Sequence, residues 1–213
     1  MGQSDAHNTT FQPSTPLAAL GGFLFRQRGI IPVPFVIGAI VTLLLADDTM
    51  ADLGIPFWAS VAGCVLFCAI GHVLRVWAIG YAGRETRSVC VATVKLATAG
   101  PFAYTRNPIY IGIVLIALGL ALMSRTTWVL ATFPVLLILE YHAIIRYEEE
   151  YLEFKFGDDY RAYRRCTPRY LGFVCRAKGN GVFDLSQTFR KEYQAVLATV
   201  SAAAAFLFAL WAR

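Results

Sequence analysis

Apolar residues in this chain come in long unbroken blocks, without the alternation of a half-buried strand or the spaced stripe of a helix on a soluble core. Residues 30–46 (IIPVPFVIGAIVTLLLA) carry no charged side chain, and residues 55–74, 108–124, 127–139 and 195–212 read in the same way. Such blocks approach the roughly 20 apolar residues a helix needs to cross a hydrocarbon core. The pattern predicts an all-α integral membrane protein of about five transmembrane helices, with a polar segment between the fourth and fifth. Residues 17–25 (LAALGGFLF) are too few to cross and are expected to lie along the membrane surface or lead into the first helix. Before them, residues 1–16 are rich in Ser, Thr and Pro and lack the order of a secretory signal, so a disordered tail is expected.

Composition agrees: 57% of residues are hydrophobic, 15% are charged and the mean hydropathy is +0.54, far from the soluble average. The five cysteines are scattered, and the close pair Cys64 and Cys68 sits inside a span where helix packing accounts for both. With His7, His72 and His142 also spread apart, no metal site is expected.

Basic residues set an orientation. Arg26 and Arg28 flank the first span, Arg84, Arg87, Lys95 and Arg106 lie in residues 81–107, and ten Lys or Arg fall in residues 146–194. Residues 47–54 hold three Asp and no base, and residues 124–126 a single Arg. By the positive-inside rule the amino terminus and both long polar segments are cytoplasmic, as an odd number of spans allows. The net charge of +5 then reads as topology and contact with anionic lipid, with no nucleic-acid partner required.

Ionisable residues at membrane depth are costly unless they face protein or water, and they mark candidate sites. Arg75 lies near a span end, where its long stem can reach the interface. Glu140 has no such reach. If the fourth span continues as a helix, His142, Arg146, Glu149 and Glu153 share one face, which reads as a ladder of ion pairs or as a site. Glu140, Ile144, Tyr147, Tyr151 and Phe154 share another, which suggests a helix contact or a pocket wall.

The stretch GPFAYTRNPIYIG, residues 100–112, has a plain structural explanation: Asn107 suits a helix cap, Pro108 the first helical position and Arg106 the basic flank. Its wider pattern, however, resembles the membrane methyltransferase family that includes isoprenylcysteine carboxyl methyltransferases and phosphatidylethanolamine methyltransferases. One matching motif is Gly100-Pro101-Phe102, Arg106-Asn107-Pro108, Tyr110 and Gly112. The other is Glu148-Glu149, Leu152, Phe156-Gly157, Tyr160, Tyr163 and Pro168. The likeness covers roughly residues 60–172 and leaves the first and last spans outside it. Where the family usually has His, this chain has Asn107, which can bind or cap but cannot exchange a proton near neutral pH.

The resemblance implies S-adenosylmethionine as methyl donor, held on the cytoplasmic side. The chain as a whole is expected to divide into a disordered or interfacial tail (1–29), the first two spans (30–80), a methyltransferase-like core with two spans and the donor-binding segment (81–172), and a linker with the last span (173–213). Arg106, Glu148 and Glu149 are the expected catalytic residues. Lys95, Leu96, Asn107, Tyr110, Gly112, Glu148, Glu149, Phe156 and Tyr160 are the expected donor-binding set. No glycine-rich loop of the soluble dinucleotide-binding type follows a strand pattern. A zwitterionic donor and a lipophilic acceptor must meet where water meets hydrocarbon, and both motifs lie at that boundary. Glu148 and Glu149 are expected either to attract the donor's ammonium or to order the loops around it; Tyr110, Phe154 and Phe156 offer aromatic faces. Three readings stay open: transfer to the carboxylate of a prenylated cysteine or a related lipophilic small molecule, transfer to a phospholipid amine, and a non-catalytic membrane scaffold on the same fold.

Overall fold

The computed structural model describes residues 11–45, 50–82, 96–171 and 183–212. Within them the chain is entirely helical, with α1 at Pro16–Gln27, α2 at Pro32–Leu45, α3 at Phe57–Ala82, α4 at Pro108–Met123, α5 at Thr127–Phe156, α6 at Asp158–Cys166 and α7 at Leu185–Trp211. A short 3-10 turn, Gly100–Ala103, precedes α4.

Helices α3 and α5, and Glu192–Trp211 within α7, are long and apolar enough to cross a membrane. The pair α1 and α2 adds a fourth candidate span if counted as one, broken by a 64° bend. The remaining expected span, the third at residues 108–124, corresponds to α4, whose 16 residues reach only about 24 Å at 1.5 Å per residue. Large apolar side chains on these helices face outward, Val65, Val73, Leu139, Leu197 and Phe208 among them. In water such a surface would be a liability; against lipid it is the expected exterior of a multi-pass membrane protein.

Helices in lipid gain little from apolar burial against one another and associate where small residues let backbones approach. The α3–α4 seam is built this way. A Cβ on Gly71 would lie 2.6 Å from the Gly112 carbonyl oxygen, and one on Gly112 would lie 2.7 Å from that of Gly71. Helix α1 meets α5 similarly, since a Cβ on Gly21 would collide with the Ala143 carbonyl. Residues 17–25, read from sequence as a surface segment or lead-in, thus belong to a helix packed on α5, Pro16–Gln27, capped by the Thr15 hydroxyl accepting from the Ala18 N–H at 3.2 Å. Phe11 extends that contact, its ring 5.6, 5.3 and 5.6 Å from those of Tyr147, Tyr151 and Phe154. Three members of the aromatic stripe on α5 therefore serve a helix contact. Of residues 1–16, for which a disordered tail is expected, the first ten lie outside the described residues, whereas 11–16 are held on α5, with the Ser14 N–H and the Thr15 hydroxyl donating to Glu150 at 2.8 and 3.0 Å.

At one end of the bundle Arg125, in the turn between α4 and α5, is buried and donates to the Ser60 hydroxyl at 2.7 Å. The lone base of residues 124–126 is a buried strut, not a loop charge. At the other end Gly157, at φ +52°, stops α5 and lets α6 fold back. Helix α6 and the segment after it then reach the stretch leading into α4: the Arg106 N–H donates to the Pro168 carbonyl at 2.9 Å, and the Tyr163 hydroxyl of α6 donates to the Phe102 carbonyl of the 3-10 turn at 2.7 Å. Through these bonds the two sequence motifs close on each other.

Candidate active site

Where the motifs meet, the helices enclose a cavity of about 710 Å³, within the range of small-molecule sites. Its polar end is lined by Arg106, Asn107, Tyr110, Glu148, Glu149 and Tyr160. The rest of the lining is mostly apolar and comes largely from α2, α4 and α7, including Val33, Val36, Ile116, Leu120, Ala198 and Ala202, with Arg28, Arg75 and Thr199 as polar exceptions.

Glu149 organises the polar end. It is buried between two guanidinium groups, with Arg106 Nη2 at 3.2 Å and the fork of Arg169 at 3.0 and 2.5 Å. The main chain of Arg169 is fixed in turn, since its carbonyl accepts from the Thr105 hydroxyl at 3.2 Å and from Asn107 Nδ2 at 3.0 Å. Asn107 occupies the cap position of α4 yet makes no capping bond with its side chain, which ties the loop to the segment after α6 instead. The ladder expected along α5 is likewise not internal to the helix. His142 contacts the Tyr170 hydroxyl at 2.8 Å, Glu149 holds Arg106 and Arg169, and Glu153 accepts from Arg161 and Arg164. Between the two motifs, then, the bonds run from helix to neighbouring segment.

One carboxylate shared by two guanidiniums leaves a net positive charge, and it leaves donors over. Arg106 Nε and Nη1 are buried without a hydrogen-bond partner. The Tyr160 hydroxyl, also buried and unbonded, lies beside the Arg106 guanidinium. Burial raises the Tyr160 and Tyr163 phenols well above the ordinary value, so both stay protonated and able to donate. Buried polar groups are normally satisfied, and three spare donors converging on one cavity are the local signature of an absent acceptor such as a carboxylate. Nearby, the Tyr110 hydroxyl donates to Glu148 Oε1 at 2.7 Å, and its ring packs on Tyr141 with centroids 4.8 Å apart.

Of the other expected site residues, Leu96 lines the cavity and Lys95 lies outside the described residues, as do Arg84 and Arg87. Gly112 does not reach the cavity; it is spent on the α3–α4 seam, where Gly71 and Arg75 fill the space a side chain would need. Phe156 is also absent from the lining and sits at the end of α5 with Lys155 over its ring. Glu140 is buried with neither oxygen bonded and does not line the cavity. Arg169 was legible only as part of a basic run, because its role depends on a fold-back that no local pattern encodes. Arg28 read only as a basic flank, and Glu192 lay in a stretch taken as linker. In the fold Arg28 lines the cavity, and Glu192 pairs with Arg75 at 3.0 and 2.8 Å between α3 and α7. Above that pair His72 contacts the Thr199 hydroxyl at 3.1 Å.

The sequence model of the phospholipid methyltransferase family matches residues 58–159. The chain is similar to the cobalt-zinc-cadmium resistance protein CzcN of Cupriavidus metallidurans, 28% identical over 84% of this chain and 80% of that protein. It is also similar to the protein-S-isoprenylcysteine O-methyltransferase of Schizosaccharomyces pombe, 31% identical over 51% of this chain and 48% of that enzyme. No solved structure matches. Among the described residues no group of three or more His, Cys, Asp or Glu side chains is placed to hold a metal ion.

Proposed function

We propose that this chain, which through residues 58–159 belongs to the phospholipid methyltransferase family, transfers a methyl group from S-adenosylmethionine to a lipophilic acceptor held in the membrane. The acceptor group is read as the carboxylate of a prenylated cysteine or of a related lipophilic small molecule. One observation carries the reading: a single cavity joins unpartnered cationic and phenolic donors at one end to an apolar wall at the other. That is the polarity two reactants need when one is a water-soluble zwitterion and the other carries a hydrocarbon tail.

The residues divide the work as follows. Arg106 and Tyr160 offer their spare N–H and O–H groups to the donor's carboxylate. Glu149, already saturated by two arginines, does not meet the donor directly; it positions Arg106 and locks the segment after α6 over the cavity. Of the two roles open to the paired acids it takes the second. Glu148, which carries the Tyr110 hydrogen bond, lines the cavity and is the carboxylate left to attract the donor's ammonium. The bound donor supplies an electrophilic methyl on sulfur, and charge disappears from sulfur as an acceptor oxygen attacks. The chain contributes alignment and a dry environment, both of which favour loss of charge. A carboxylate acceptor needs no base, which is compatible with an amide at Asn107.

A second acceptor class follows from the family's own description: a phospholipid amine, whose proton would have to leave. Glu148 with Tyr110 is the pair in the cavity able to take it. Incubating the purified protein with radiolabelled donor and a total lipid extract, then identifying the labelled species, separates the classes. Base-labile methyl ester label supports the carboxylate, and base-stable label on a headgroup supports the amine. No label, together with no calorimetric binding of S-adenosylhomocysteine, would leave the scaffold reading.

A further inference from the structure

The elbow between α1 and α2 lies outside residues 58–159, yet it forms part of the cavity wall: Phe25, Arg28, Gly29, Pro32 and Val33 all line it. Arg28 sits at the apex of the bend. Its guanidinium rests on the Phe25 ring, 3.8 Å from the centroid, and within electrostatic reach of Tyr110 and Glu148. No carboxylate of the described residues forms a salt bridge with it. An aromatic face beneath a guanidinium fixes its plane and leaves its edge, with its N–H donors, free for an anion.

The order of residues beyond Arg28 gives the anion a shape. From Pro32 through Val33, Val36 and Ile37 the cavity wall is continuously apolar, and the lining from α7 and α4, Ala195, Ala198, Ala202, Ile116 and Leu120, is apolar too apart from Thr199, whose hydroxyl contacts His72. Val33 and Ile37 are about half exposed, so this part of the cavity opens sideways onto the lipid-facing surface. A cation at the head of an apolar strip is complementary to a single-chain anionic amphiphile. The donor's zwitterion has no tail for that strip, and its carboxylate is already matched by Arg106 and Tyr160.

We infer that Arg28 is the headgroup anchor for the methyl acceptor, binding an anionic group whose hydrocarbon tail lies along α2 towards the bilayer. This rests on the methyltransferase reading and extends it by assigning acceptor recognition to the α1–α2 elbow. The anion is a carboxylate, where it is itself the group methylated, or a phosphate in a lipid headgroup.

The test measures displacement of a fluorescent fatty acid from the purified full-length protein by palmitate, by its methyl ester and by hexadecyl phosphate. Calorimetric binding of S-adenosylhomocysteine is measured in parallel. In the wild type, palmitate or hexadecyl phosphate should bind well ahead of the uncharged ester, and whichever anion leads names the headgroup. Arg28→Gln should lower affinity for the leading anion about 10- to 100-fold, the usual worth of a charge-assisted hydrogen bond. Arg28→Lys should keep part of the preference, and both variants should bind S-adenosylhomocysteine as the wild type does, which also reports an intact fold. The inference is overturned if Arg28→Gln keeps the full preference for the anion, or if the loss falls on S-adenosylhomocysteine. Absence of S-adenosylhomocysteine binding in the wild type would instead strike the methyltransferase reading.

Discussion

Two buried carboxylates in this protein are each held by arginine, and they are held for different ends. Glu192 and Arg75 form a closed pair, two hydrogen bonds between two charged side chains, tying α7 to α3. Glu149 instead sits between Arg106 and Arg169, and there the arrangement leaves Arg106 Nε and Nη1 and the Tyr160 hydroxyl without partners. The first pair spends two guanidinium donors on joining helices, although Arg75 also lies on the cavity wall. The open cluster carries an excess of donors into a cavity. Burial of charge does not by itself mark a site, and neither does a missing partner, since Glu140 is buried and unbonded outside the cavity; the mark here is unspent hydrogen-bonding capacity at a cavity wall.

The largest effect should come from the closed pair. Glu192→Ala leaves Arg75 buried and uncompensated, so thermal unfolding in detergent should show a loss of about 3–5 kcal/mol. Replacing both partners with apolar residues, Arg75→Met with Glu192→Leu, should recover most of it. A double variant no more stable than the single one would mean that the pair does more than join helices.

Arg106→Ala should behave in the opposite way. Glu149 keeps Arg169, so stability should change little, while affinity for S-adenosylhomocysteine falls about 10- to 100-fold by calorimetry. Equal losses of stability and binding would erase the contrast between the two arginine sites.

The smallest effect is expected for Tyr160→Phe, which removes one neutral donor and should cost about three- to tenfold in the same titration, or about 0.5–1.5 kcal/mol. Since burial raises the phenol far above its usual range, it stays protonated as the solution becomes alkaline. The ratio of wild-type to Tyr160→Phe affinity should therefore hold steady between about pH 7 and pH 9. A ratio that shrinks across that window would show the phenol ionising while the ligand is bound.

Much of this molecule was readable along the chain because hydrophobic length is a local property. Blocks of uncharged residues announce helices in lipid, and the proline that starts α4 stands where the pattern expects it. The two motifs were also visible, and the cavity joins them. Their internal division of roles was not. Gly112 belongs to the same motif as Arg106 but is consumed by close packing on Gly71, and Asn107 suits a helix cap yet ties two loops together. Residues 17–25 read as a surface segment or as the lead into the first helix, and nothing in them reveals that Gly21 faces the backbone of α5.

The sequence alone determined that the chain is helical, that it resides in a membrane, and that polar chemistry gathers at the ends of its spans. Each of these follows from the free energy of moving single residues between water and hydrocarbon, a sum that needs no knowledge of neighbours. Only the tertiary structure decided which charges are spent on each other and which remain to bind. Arg169 reaches Glu149 over a sequence separation of 20 and Glu192 reaches Arg75 over one of 117, while Arg28 faces a cavity built from distant helices. Hydrogen bonds are short and directional, so such pairings exist only once the helices are packed.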